Sequence, residues 1–129
     1  MSIVKGLNKA AEIVHAANVK KGFYDEPSDF GTRIMLIVCE LAEAMEADRD
    51  GKRCEQAELE LAAEANGLGE ETFPEIFRDM VKDTVEDEIA DSFIRLLDLC
   101  GQLQIDIDKH INTKFAFNAT REHKHGKKY

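Results

Sequence analysis

Apolar side chains recur along this chain every three to four residues, and no segment alternates in the two-residue rhythm of a strand. The spacing predicts helices. A first covers about residues 3–21 and is ended by Gly22 and the turn-rich Asp25-Glu26-Pro27-Ser28-Asp29. A second runs over residues 30–49 and stops at Asp50-Gly51. A third, rich in Ala, Leu and Glu, covers residues 55–65 and is closed by Asn66-Gly67 and Gly69. Thr72-Phe73-Pro74-Glu75 reads as a helix start, with Thr as cap, Pro early and Glu three residues after the Thr. A long helix follows over residues 84–104, and Asp106 can cap a last one reaching residue 121. The fold class this predicts is all-α, a helical bundle in a single domain over residues 1–129. The stretch 51–83 reads as an insertion packed on the side of the bundle, and 122–129 as a flexible basic tail.

The helix faces carry the candidate chemistry. On the second helix, Ile34, Ile37, Val38, Leu41 and Met45 form one stripe, read as its core face. Glu40 and Glu43, three residues apart, share the opposite face with Leu36 and Ala47, so they are expected in a partly apolar cleft. Ionised carboxylates in such a place need a cation or a donor. The helix over 84–104 repeats the arrangement. Val85, Ile89, Phe93, Leu96, Leu99, Cys100 and Leu103 make its apolar face, and Glu88 and Asp91 lie three apart at its edge, with Asp87 and Asp98 near in angle. Oxygen-only ligands suit a hard cation, above all Mg²⁺. Solvated surface is the plainer account of each acid pair, and Arg95, four residues after Asp91, can pair with it. A di-iron site would want Glu-x-x-His on two helices. Glu12-x-x-His15 supplies one, leaving His15 as a helix-face residue or a substrate contact.

Charge sharpens the picture. The 129 residues carry a net charge of −9, which argues against a nucleic-acid polymer as partner. From Lys109 to Tyr129 the balance is +5, against −14 for the remainder. Lys114, Asn118 and Arg121 share one helical face there, and Lys124, His125, Lys127 and Lys128 follow. Such groups suit phosphates and a sugar or base edge, and the tail could close over a bound polyanion. A frayed basic helix end is the plainer account of the same residues. Cys39, Cys54 and Cys100 form neither a disulfide framework nor a zinc pattern, and Cys39 and Cys100 are expected as small core residues. With no apolar signal core in MSIVKGLNKAAE and no membrane-length apolar run, a soluble, cytoplasmic protein without membrane contact is expected.

Four segments, taken in order, resemble the MazG-like all-α nucleotide pyrophosphohydrolases: His15 with Lys21-Gly22-Phe23-Tyr24-Asp25-Glu26-Pro27; Cys39-Glu40-Leu41-Ala42-Glu43-Ala44; Glu88-Ile89-Ala90-Asp91 followed by Ile94-Arg95-Leu96-Leu97-Asp98; and Lys114, Asn118-Ala119-Thr120-Arg121, Lys124-His125-Gly126-Lys127-Lys128-Tyr129. Each motif is short, and together they span most of the chain. The resemblance implies a four-helix core that oligomerises as a homodimer or homotetramer, a Mg²⁺ cofactor and nucleoside triphosphate substrates. It implies Glu40, Glu43, Glu88 and Asp91 as metal ligands, with Glu40 or Glu43 also positioning the water. It further implies Lys114, Asn118, Arg121, Lys124, His125, Lys128, Tyr24 and His15 as substrate contacts. Phe23 and Tyr24 serve apolar packing equally well. The chain departs from the family in two places. Residues 44–87 separate the two acidic motifs, a longer spacing than usual, and Glu122 stands where many relatives have proline.

The expected reaction is hydrolysis of a nucleoside triphosphate to the monophosphate and pyrophosphate. Phosphoribosyl-ATP as substrate is the near alternative. A non-catalytic helical module that senses nucleotides or binds a protein is the distant one.

Overall fold

The computed structural model describes residues 2–129, apart from the side chain of His125. Its elements are α1 (Leu7–Lys20), α2 (Phe30–Arg49), α3 (Gln56–Gly67), α4 (Phe73–Met80), α5 (Val85–Gln102), α6 (Ile107–Ala119) and a 3₁₀ turn over His123–Gly126. No strand occurs among the described residues, and no described helix is long and apolar enough to cross a membrane. The all-helical expectation holds. The backbone forms two compact units, one taking the chain as far as Pro27 together with Leu96–Tyr129, the other Ser28–Arg95.

In the Ser28–Arg95 unit, α2 begins where Asp29 accepts a hydrogen bond from the Thr32 amide at 2.7 Å, so the cap residue itself sets the boundary. Glu55 caps α3 through a reciprocal box with Glu58, whose side chain accepts from the Glu55 amide at 2.8 Å. The segment 51–83 is therefore two helices, α3 and α4, packed on each other. The α4 start differs from expectation. Thr72 precedes Phe73 and Pro74, but its hydroxyl donates to Glu70 (3.3 Å) and caps no amide. The strap between α2 and α3 is tied to the first turn of α5, where the Val85 amide donates to the Lys52 carbonyl (3.1 Å) and the Cys54 amide to Glu86 (2.9 Å).

In the other unit α1 starts later than the apolar spacing suggests, at Leu7. Gly6 precedes it with φ +94° and offers no side-chain cap. The cap comes instead from α6, where the Asp108 carboxylate accepts from the amides of Gly6, Leu7 and Asn8 at 3.1–3.2 Å. Asn112 binds the extended residues before it, accepting from Ile3 (2.7 Å) and donating to the Val4 carbonyl (3.0 Å). Asp106 caps α6 through the Lys109 amide at 3.1 Å, as its spacing predicts. Gly101 lets the end of α5 lie directly on α1, since a Cβ there would stand 2.6 Å from the Ala11 carbonyl oxygen and 2.7 Å from the His15 Cβ.

The expected core stripe of α2 is corrected. Its buried residues are Ile37, Glu40, Ala44 and Ala47, whereas Val38, Leu41 and Met45 are about half exposed. On α5, Val85, Leu99 and Cys100 are buried, but Ile89, Phe93 and Leu96 are exposed, as is Leu103 just beyond its end. The covered line of α2 runs between the two arcs: it takes Ile37 from the apolar stripe and Glu40 and Ala47 from the acid-bearing face, and the small Ala44 and Ala47 let neighbouring backbone approach beside Glu40, while Leu36 and Glu43 are exposed. Cys39 is likewise exposed, contrary to its expected core position, while Cys100 is buried as expected.

Candidate functional site

The second turn of α5 and the middle of α2 bring carboxylates together. Oxygens of Glu40, Glu43 and Glu88 all lie within 4.8 Å of one another. Glu40 and Glu88 are buried at 8% and 5% exposure, and Glu43 is exposed. Three acids so close cannot all ionise freely. Burial first, then the Glu43 charge and a hydrogen bond shared with Glu40, pushes Glu88 up to about 7. Asp91, one turn further along α5, lies outside that group of mutually close oxygens but inside its field. Burial, then Asp87 and Glu40, raises its pKa above the usual value.

One cation is already present. Arg95 donates from Nε to Glu40 at 2.6 Å. The sequence suggested Asp91 as its partner. The geometry gives the hydrogen bond to Glu40 instead, and Asp91 feels Arg95 only as a nearby charge. Glu40 is thus held in place, and Glu43 stands as the exposed carboxylate beside it. On the other side of Glu88, oxygens of Asp83 and Asp87 also come within 4.8 Å of it, but Asp83 is paired with Lys82 at 2.6 Å and Asp87 accepts from the Asp83 amide at 3.0 Å.

The remaining expected site residues lie in the other unit. His15 Nδ1 is 2.9 Å from Asp98, with both side chains largely covered, and the half-buried Tyr24 ring meets the His15 ring edge-on at 4.7 Å. Asp98 is therefore a partner for His15, a role that helix spacing does not reveal, since it shows only an acid near in angle to Glu88 and Asp91. Lys114 and Asn118 border an open cavity of about 500 Å³ with Ile3, His110, Ile111 and Phe115. Lys114 and Arg121 both lie over the Phe117 ring, at 5.1 and 5.8 Å from its centre, so two cations converge on one aromatic face. Lys124 and Lys128 are exposed, and the His125 side chain lies outside the described part of the structure.

A second cavity, of about 380 Å³, opens between α3, α4 and the first turns of α5. Asp87 and Asp91 stand on its border, so it adjoins the acid cluster. Neither the cavity nor its walls could be placed from the sequence, because α3 and α4 form it only once they are folded together.

Comparison with protein-family models, with curated proteins and with solved structures gave no match.

Proposed function

We propose that the chain is a Mg²⁺-dependent nucleoside triphosphate pyrophosphohydrolase built on a MazG-like core, acting in nucleotide-pool housekeeping. The observation that carries this reading is the convergence of Glu40, Glu43 and Glu88 within 4.8 Å, two of them buried. The donor set fits a hard divalent cation: it is oxygen-only, it is crowded, and Glu88 is pushed toward neutrality where no cation balances it. Glu40, Glu43, Glu88 and Asp91 are the proposed ligands. Bound there, Mg²⁺ would supply charge neutralisation at the phosphate oxygens and polarise the phosphorus under attack.

The chain's own groups divide the remaining work. Arg95 holds Glu40 in one orientation, which leaves Glu43 as the carboxylate able to accept a proton from water. The oxygen of that water bonds to the α-phosphorus, the bond to the bridging oxygen breaks, and pyrophosphate leaves with the electron pair. Lys114, Asn118, Arg121, Lys124, His125 and Lys128 are the proposed phosphate and sugar contacts, with His15 and Tyr24 as further substrate contacts. Support for the first three comes from the paired cations over Phe117 and from the cavity beside Lys114 and Asn118. A homodimer or homotetramer completes the proposal. It is supported by the half-exposed Val38, Leu41 and Met45 on one face of α2, which a second copy would cover.

The test is incubation of the purified protein with Mg²⁺ and a panel of nucleoside triphosphates and phosphoribosyl-ATP, with chromatography of the products. Monophosphate plus pyrophosphate, lost with EDTA and reduced at least about a hundredfold in Glu43→Gln, is the expected result. Orthophosphate as the product, or near-normal turnover in Glu43→Gln, overturns it. Binding without turnover points to a nucleotide sensor.

A further inference from the structure

We propose that the residues ahead of α1 form a strap whose docking on α6 completes a ligand cavity. Strap docking and ligand binding at Lys114 and Asn118 are then one coupled event, with Asn112 as its positioning residue. The proposal rests on the reading of Lys114 and Asn118 as phosphate and sugar contacts, and adds how that surface is formed and controlled. The cavity of about 500 Å³ is bordered by Ile3, His110, Ile111, Lys114, Phe115 and Asn118. The last five are spaced by one, three, one and three residues, so they share one face of α6. The face of a single helix is convex and makes no cavity by itself. Among the described lining residues, Ile3 alone comes from another element, so the strap supplies the wall that turns a helix face into a cavity.

The strap is built to dock and to release. Residues 2–5 form neither helix nor strand. The Asn112 side chain makes the polar attachment of Ile3 and Val4: its Oδ1 accepts from their amides at 2.7 and 3.2 Å, and its Nδ2 donates to the Val4 carbonyl at 3.0 Å. Ile3 is 41% exposed, so the strap lies on α6 without being enclosed by it. Gly6 ends the strap at φ +94°, and a Cβ there would meet nothing within 4 Å, so the glycine serves the backbone angle of a hinge and no packing. On the helix side of the hinge, Asp108 accepts from the amides of Gly6, Leu7 and Asn8. The start of α1 is therefore held whether the strap is docked or free, and the motion is confined to the residues before it. A phosphate on Lys114, with the rest of its molecule against Ile3, Ile111 and Phe115, touches helix and strap together. It gains its full contacts only in the docked state and shifts the balance toward it. With the strap free, the same ligand meets a lone cation on an open helix face, where water screens the attraction.

The test pairs amide exchange with kinetics. Exchange with water is followed by NMR at Ile3 and Val4 on the strap and at Leu7 and Asn8 under the Asp108 cap, while each common nucleoside triphosphate is added in EDTA to prevent turnover. At least one triphosphate should slow Ile3 and Val4 by roughly fivefold or more and leave Leu7 and Asn8 unchanged. Lys114→Ala should abolish the slowing. Asn112→Ala should free Ile3 and Val4 with or without triphosphate and keep Leu7 and Asn8 protected, which shows that the fold is intact. It should raise KM roughly fivefold or more with a smaller change in kcat. Asn112→Asp, which keeps the acceptor for both amides, should recover much of that loss. Ile3→Ala, which keeps the latch and removes the wall, should raise KM without freeing the strap, and it carries the kinetic test if Asn112→Ala does not fold. Equal slowing at all four amides, no slowing with any triphosphate, or an unchanged KM in a folded Asn112→Ala overturns the strap. If no triphosphate is hydrolysed but the slowing appears and vanishes in Lys114→Ala, the strap stands and the hydrolase reading fails. Hydrolysis by a chain whose strap amides ignore the substrate sinks the strap alone.

Discussion

Replacing Glu88 with glutamine should stabilise the metal-free protein, and only above mildly acidic pH. Glu88 is 5% exposed, faces Glu43 and Glu40, and is pushed from an ordinary 4.5 up to about 7. Ionising a carboxyl displaced that far costs up to about 3 kcal/mol. Below about pH 4.5 the group is protonated in both folded and unfolded chains and contributes no pH dependence. As pH rises past 4.5 the unfolded chain releases its proton while the folded chain keeps it, so unfolding is favoured. Above about 7 both are ionised and the full cost is present. Glutamine keeps the size and polarity without the charge. The advantage of Glu88→Gln should therefore be near zero at pH 4.5, grow between 5 and 7, and level off at up to about 3 kcal/mol by pH 8, or roughly 10 °C in Tm.

Urea unfolding followed by circular dichroism, in EDTA, at four values between pH 4.5 and 8 measures this directly. A difference of the same size at every pH would refute the argument, because it would show a packing effect with no proton attached. Repeating the series in millimolar MgCl₂ adds a second arm. The wild type should recover its deficit at pH 8 while Glu88→Gln gains nothing. Equal gain in both would remove Glu88 from the ligand set.

Three further perturbations probe the surroundings. Arg95→Met leaves the buried Glu40 carboxylate without its donor at 2.6 Å and should cost about 1–3 kcal/mol by urea unfolding. That loss should shrink when Mg²⁺ is added, and a loss indifferent to Mg²⁺ would separate Glu40 from any cation. Gly101→Ala places a methyl 2.6 Å from the Ala11 carbonyl oxygen and should lower stability by about 1–3 kcal/mol despite alanine's better helix propensity; a higher Tm would show that α1 yields easily. Asp108→Ala removes the acceptor for three amides at the start of α1 and should cost about 1–2 kcal/mol, with faster hydrogen exchange at Leu7 and Asn8; unchanged exchange there would discount the cap.

What could be read from the sequence is what acts within a turn of itself. Asp29, Asp106 and the Asp50-Gly51 break set helix limits through their own backbone neighbours, so α2 begins and ends where expected and α6 starts on its cap. The late start of α1 was illegible for the same reason reversed, since its cap, Asp108, lies about a hundred residues away in sequence. The faces of α2 show the limit most clearly. Periodicity gives two arcs, one of Ile34, Ile37, Val38, Leu41 and Met45, the other carrying Glu40 and Glu43 with Leu36 and Ala47, but it cannot say which residues of each this chain would cover. Bulk and hydropathy favour the first, but the structure buries a line that draws on both, Ile37 from the first and Glu40 and Ala47 from the second, with Ala44 between them, and leaves Val38, Leu41, Met45, Leu36 and Glu43 exposed. Covering Glu40 and Glu88 in place of available valine, leucine and methionine costs stability that an apolar face would have added. Local pattern and global fold disagree at this one place, and disagreement of that kind is expected where a protein handles a ligand. The burial of Glu40 and Glu88 ahead of Val38, Leu41 and Met45 therefore supports the proposed site at the acid cluster independently of the spacing of its glutamates. It also explains why an apolar stripe is left outside, where a second copy of the chain can reach it.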